Sequence, residues 1–133
     1  MDIQLLSALS ASVIGIGCTI HYIYFIIKGK VQPHVYTWVI WTMTQGIAAA
    51  GVYYGNGGWP AYGMGIGTCL LGIAALLASK YGTTHITTSD TILFCLALVG
   101  LLVWIFTDEK LVAVLLATGI DLLGYIPTLR KTW

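Results

Sequence analysis

Five apolar segments, each near the length that a helix needs to cross a lipid bilayer, follow one another along this chain with only short turns between them. They cover residues 3–27, 36–54, 61–78, 91–106 and 111–126. A spanning helix takes about 20 mostly apolar residues to cross roughly 30 Å of hydrocarbon. Of the 133 residues, 58% are hydrophobic and 8% charged, whereas an ordinary soluble domain carries about 25% charged residues. No soluble fold of this size could hide that much apolar surface. A bilayer accommodates it, because a lipid-facing side chain needs no protein neighbour and a spanning helix satisfies its own backbone hydrogen bonds. The expectation is an all-α, polytopic transmembrane helix bundle of five spans, a single domain over residues 1–133 whose main partner is the lipid bilayer.

The breaks between segments carry turn chemistry. Lys28-Gly29-Lys30 and Pro33 close the first helix, and Gly55-Asn56-Gly57-Gly58 with Pro60 separates the second from the third. Ser89-Asp90 offers an N-cap to the fourth. The last two segments are short and divided only by Thr107-Asp108-Glu109-Lys110, so one broken hairpin is an alternative description. The chain crosses twice there in either case, because an uninterrupted helix would bury three consecutive charges in lipid. With the N-terminus outside and the C-terminus inside, the inner loops and tail hold Lys28, Lys30, Lys80, Arg130 and Lys131, and only Lys110 is left outside, which is the positive-inside pattern. Tyr53, Tyr54, Trp59 and Tyr62 then form an outer aromatic belt, with Tyr36 and Trp38 near the inner face.

Several function classes fall away. A net charge of +1 offers no basic face for nucleic acid. Cys18, Cys69 and Cys95 stand singly in apolar runs, read as small buried hydrophobes. His34 and His85 lie in loops without ligand spacing to each other, so no metal and no cofactor is expected. The motifs HExxH and GxSxG, a Gly-rich phosphate loop and a pair of intramembrane carboxylates are all missing, and nothing points to an enzyme. The start Met1-Asp2-Ile3-Gln4 lacks the basic n-region of a cleavable signal peptide, so the first helix is expected to stay.

The end of the first helix aligns without gaps on the end of the fifth. His21 to Lys28 lies over Gly124 to Lys131, with Tyr22 on Tyr125, Ile23 on Ile126 and Lys28 on Lys131. A true duplication would be parallel, a recurrent plan in transporters. The stretch Asp121-Leu122-Leu123-Gly124-Tyr125-Ile126-Pro127-Thr128-Leu129-Arg130-Lys131-Thr132-Trp133 resembles the Pro-containing helix end of the PQ-loop superfamily, which includes SWEET sugar transporters and lysosomal cystine exporters. Residues 29–41, beginning Gly29-Lys30-Val31-Gln32-Pro33 and ending Trp38-Val39-Ile40-Trp41, are similar to an uncharacterised group of bacterial membrane proteins of the same general plan. Thr128 stands where the motif usually has Gln, and Tyr24 where the first copy would carry Pro. The resemblance implies a multi-pass protein of the inner (plasma) membrane built from three-helix units. Residues 1–79 would form the first unit, 91–107 a linker helix and 111–133 the start of a second. Two further helices are then expected, either in a longer chain or from a second copy in a homo-oligomer; a complete five-helix protein is the alternative.

Among residues that could carry chemistry, Asp121 stands out. It lies nine residues before Arg130, and at about 1.5 Å per residue this puts it near the bilayer midplane. A carboxylate there suits a proton or substrate site, or a protonated structural role shared with Thr118 or Tyr125. Trp38, Trp41 and Gln45 are spaced to share a face of the second helix, as an aromatic ligand wall or as packing. His21 could meet Asp121 in a proton relay if the first and fifth helices flank one cavity, and is otherwise a core histidine. Pro127 reads as a hinge or a helix stop. Gly63 and Gly67, echoed by Gly46 and Ala50, predict close packing of the second and third helices. The expected function is movement of a small polar solute through a cavity bounded by helices one, two and five; a membrane scaffold or sensor subunit that binds other helices is the alternative.

Overall fold

A computed structural model describes residues 3–108 and 110–132, apart from the side chains of residues 4, 110, 111, 113, 114, 131 and 132. It contains five helices, α1 (Ile3–Ile27), α2 (Val35–Tyr54), α3 (Trp59–Tyr81), α4 (Thr88–Ile105) and α5 (Lys110–Thr132), and no strand among the described residues. Among the described residues, three of them, not the expected five, are long and apolar enough to cross a membrane: α1 over Leu5–Ile27, α3 and α4. That much fits a membrane protein. Of the other two, α2 carries Thr37, Thr42, Thr44 and Gln45 along its length, and α5 carries Asp121 and Arg130.

Local chemistry sets the helix ends. At the end of α1, Gly29 adopts φ +67°, and the Gly29 and Lys30 N–H groups donate back to the Ile26 and Phe25 carbonyls at 2.9 and 3.0 Å. This Schellman arrangement satisfies carbonyls that the helix end would otherwise leave open, and it calls for a residue without a Cβ. Pro60 sits in the first turn of α3, where its missing N–H costs nothing. The α4 cap lies at Thr87 and not at Ser89-Asp90 as expected. Thr87 and Asp90 form a reciprocal capping box, with Asp90 N–H donating to Thr87 Oγ1 (3.2 Å) and Thr87 N–H to Asp90 Oδ2 (3.0 Å). Pro127 does not stop α5, which continues to Thr132. Proline removes one N–H, so only the Leu123 carbonyl loses its intrahelical donor.

Helix neighbours do not follow chain order. The α3 helix lies against both α1 and α2, α4 pairs with α5, and α2 alone touches both groups. Two cores result. Ile26, Trp38, Ala74 and Ala78 join α1, α2 and α3, while Ile40, Ala97, Leu101 and Ile120 join α2, α4 and α5. Small residues set the spacing, although not always at the expected interface. A Cβ on Gly63 would come within 2.6 Å of Ser12 Oγ, so Gly63 serves α1–α3 contact rather than α2–α3. Gly46 does face α3, with Thr68 Cγ2 at 3.4 Å, and the nearest atom to Gly67 is Gln45 Nε2 at 4.0 Å. Ala50 is exposed. On the other side of α2, a Cβ on Gly124 would meet Ile40 Cγ2 at 3.2 Å, which is why α5 can approach so closely.

Hydroxyls inside apolar helices find partners on their own backbone. Ser12, Thr19, Thr42, Thr44 and Thr68 each donate to the carbonyl four residues earlier, which is how such side chains are carried where water is scarce. Two further sequence expectations change. All three cysteines are exposed on outward helix faces; on helices this apolar, an outward face suits a small thiol as well as a core does. Trp38 is only 8% exposed and belongs to the core, not to an aromatic rim. Tyr53, Tyr54, Trp59 and Tyr62 do form an exposed aromatic cluster, with neighbouring centroids 5.7 to 6.3 Å apart.

Candidate functional site

A cleft of about 600 Å³ opens between α2 and α5. Its walls are Trp41, Thr44, Gln45 and Ala48 from α2, Leu71 from α3, Trp104 from α4, and Ala117, Thr118, Asp121, Leu122 and Tyr125 from α5. Four of the six expected site residues, Asp121, Gln45, Trp41 and Tyr125, therefore meet in one place. They can do so because α2 and α5 are pinned together: Thr37 Oγ1 donates to the Gly124 carbonyl at 2.6 Å and lies 2.9 Å from Thr128 Oγ1. Next to that seam the Trp41 and Tyr125 rings stack, 16° from parallel with centroids 5.9 Å apart.

The other two residues lie elsewhere. Trp38 does not line the cleft: its ring packs on Tyr22 of α1 (4.8 Å) and meets Trp41 edge-on (5.6 Å). His21 is exposed on α1 and stands edge-on to Phe25 at 4.6 Å. No described α1 residue lines the cleft, and α1 packs on α3 without reaching α5. The structure therefore does not bring His21 and Asp121 together, since α1 and α5 share no contact and His21 does not line the cleft. The expected wall from helix one is replaced by Trp104 and Leu71.

Asp121 is exposed toward the cleft, and its near polar neighbour is the Thr44 hydroxyl. Thr44 Oγ1 also lies 2.6 Å from the Ile40 carbonyl, so its one hydrogen is shared between that carbonyl and the Asp121 carboxylate. None of the described basic side chains forms an ion pair with Asp121. A second, smaller cavity of about 310 Å³ lies on the far side of Gln45, lined by Ser12, Thr19, Gly63, Met64 and Gly67 among others. Gln45 and Leu71 border both spaces.

Sequence reasoning missed a polar clamp where the ends of α4 and α5 meet. Asp90 is 3% exposed. Arg130 Nη1 donates to Asp90 Oδ1 (3.0 Å) and Thr87 Oγ1 (3.1 Å), and its Nη2 donates to Ser89 Oγ (3.1 Å). His34 Nε2, at the start of α2, lies 3.6 Å from Asp90 Oδ2. Pro127 is buried and borders the small pocket around these groups. The sequence held a signal for half of this arrangement, the capping pattern Thr87–Asp90. It held none for the partner forty residues away. Among the described residues no group of His, Cys, Asp and Glu could hold a metal ion.

Comparison of the chain with protein-family models, with curated proteins and with solved structures found no match.

Proposed function

We propose that this chain is a multi-pass protein of a bacterial inner membrane that moves a small polar solute through the Asp121 cleft, in the manner of the PQ-loop superfamily it resembles. In this reading all five helices cross the bilayer, with the N-terminus outside and the basic loops inside. The observation that carries the reading is the meeting of Asp121, Gln45, Trp41 and Tyr125 around one opening in an otherwise apolar bundle. A few polar groups converging in a mostly apolar cleft is the usual pattern of a small-molecule site. A carboxylate at membrane depth costs about 2.5–3.5 kcal/mol on insertion scales, so it is retained where it faces a cavity or a ligand. The polar side chains of α2 support the same view, because they face α5 and the cleft: Thr37 toward Gly124, Thr44 toward Asp121. The place of α3 between α1 and α2 is consistent with a first three-helix unit. Binding and conformational change suffice for this role, and no enzymatic step is part of it.

Uptake into proteoliposomes tests the proposal. Transport that survives Asp121→Asn unchanged would remove Asp121 from the mechanism. Reporter tags at Gly57 and Lys80 should be found on opposite sides of the membrane, and finding both on one side would overturn the threading.

The scaffold reading draws on one observation: α1 packs mainly on α3 and leaves Val13, Ile14 and Ile20 exposed along its outer side. Purification in mild detergent as a stable hetero-complex, with no solute-dependent thermal shift, would favour it.

A further inference from the structure

We infer that the ligand of this cleft is a small organic cation, an ammonium of the alkyl or choline type, held by the Asp121 carboxylate within a wall of aromatic rings. The inference rests on the solute-cleft reading above and names its substrate class.

Three aromatic rings, Trp41, Trp104 and Tyr125, line the same opening as Asp121. Each helix contributes for its own local reason. Trp41 and Tyr125 are fixed by stacking on each other across the α2–α5 seam. Trp104 packs against the core formed by Ile40, Ala97, Leu101 and Ile120. Aromatic faces carry negative charge density and attract cations, most strongly where water is excluded. Rings around a carboxylate therefore favour a positive guest twice over, by the faces and by the full charge.

The charge balance points the same way. Arg130 is committed to Asp90, Thr87 and Ser89, and Lys28, Lys30 and Lys80 have the rings of Tyr24, Phe25 and Tyr81 as neighbours. Asp121 is thus left without a protein counter-ion among the described residues. A neutral sugar entering the cleft would displace water from the carboxylate and supply no charge in return, whereas an ammonium supplies it. Thr44, hydrogen-bonded to the carboxylate, helps hold it in place at the cleft wall. A volume of about 600 Å³ leaves ample room for a cation of a few carbon atoms.

Isothermal titration of the full chain in lipid nanodiscs with choline and with 3,3-dimethylbutan-1-ol, its neutral isostere, separates charge from shape. Saturable binding of choline, with the alcohol bound at least about tenfold more weakly, is expected from the cation–ring and carboxylate contacts. Asp121→Asn should remove that preference, and Asp121→Glu, which keeps the charge, should retain it. Tyr125→Leu, a change at an exposed ring, should weaken choline by about three- to tenfold. Equal binding of choline and the alcohol would overturn the cation assignment and leave a solute cleft that selects by shape. Binding of glucose but not choline would do the same. Failure of all three probes to bind would bring down both this inference and the reading on which it rests.

Discussion

Asp90 and Asp121 are both carboxylates in a bundle of apolar helices, and they live in opposite surroundings. Asp90 is 3% exposed and fully engaged: one oxygen accepts from the Thr87 N–H, the other from Arg130, and His34 stands at 3.6 Å. Asp121 opens onto a cleft, with the Thr44 hydroxyl as its neighbour and no cation paired to it among the described residues. The first is a structural fastener, tying the start of α4 to the end of α5. The second is a charge placed at a cost and left available. Burial and a complete set of partners mark the group that holds the fold; Asp121 has neither.

The largest effect should come from breaking the fastener. Arg130→Ala strips Asp90 of its cation while leaving the carboxylate buried. Removing one member of a buried pair is costly, but the Arg130 side chain is 45% exposed, so the expected loss is about 2–3 kcal/mol. Thermal unfolding in detergent measures it, and a loss below about 0.5 kcal/mol would move Asp90 into the same class as Asp121. A smaller effect should follow from Thr37→Val, which removes the hydroxyl bonded to the Gly124 carbonyl but keeps the shape. About 1 kcal/mol is expected for one such bond between helices, together with looser binding in the cleft beside it; unchanged stability would mean that the Gly124 close approach alone holds the seam. The smallest effect belongs to Asp121→Asn. Stability should change by less than about 0.5 kcal/mol or rise, while binding in the cleft changes most of all. If this variant unfolds as readily as Arg130→Ala, the contrast between the two aspartates fails.

The helices themselves could be read from the chain because each is a continuous apolar run ended by local chemistry: Gly29 after α1, Asn56 and Gly58 around the second turn, Thr87 and Asp90 at α4. Reading stopped where interactions become distant in sequence. Lateral order is one example, since nothing in the residues between Ile27 and Trp59 says that α1 will lie on α3. Gly63 was legible as a small contact residue, yet its partner Ser12 was not. Arg130 was legible as a basic residue of the tail, whereas its bond to Asp90 depends on α4 and α5 running antiparallel side by side. The cleft was half legible: helical spacing placed Trp38, Trp41 and Gln45 on one face of α2, and Asp121 stood out as a carboxylate near the midplane. Trp38 parted from Trp41 and Gln45 because its ring is taken up by Tyr22 of α1 in the core and does not line the cleft.

Gln45 and Leu71 form a party wall between the larger cleft and the smaller cavity beside Ser12. A rotation of either side chain that enlarges one chamber shrinks the other, so their capacities are anticorrelated by construction. A substitution at position 45 therefore changes two compartments at once, and its effect on either has to be judged against a matched change at Ser12, which borders only the smaller.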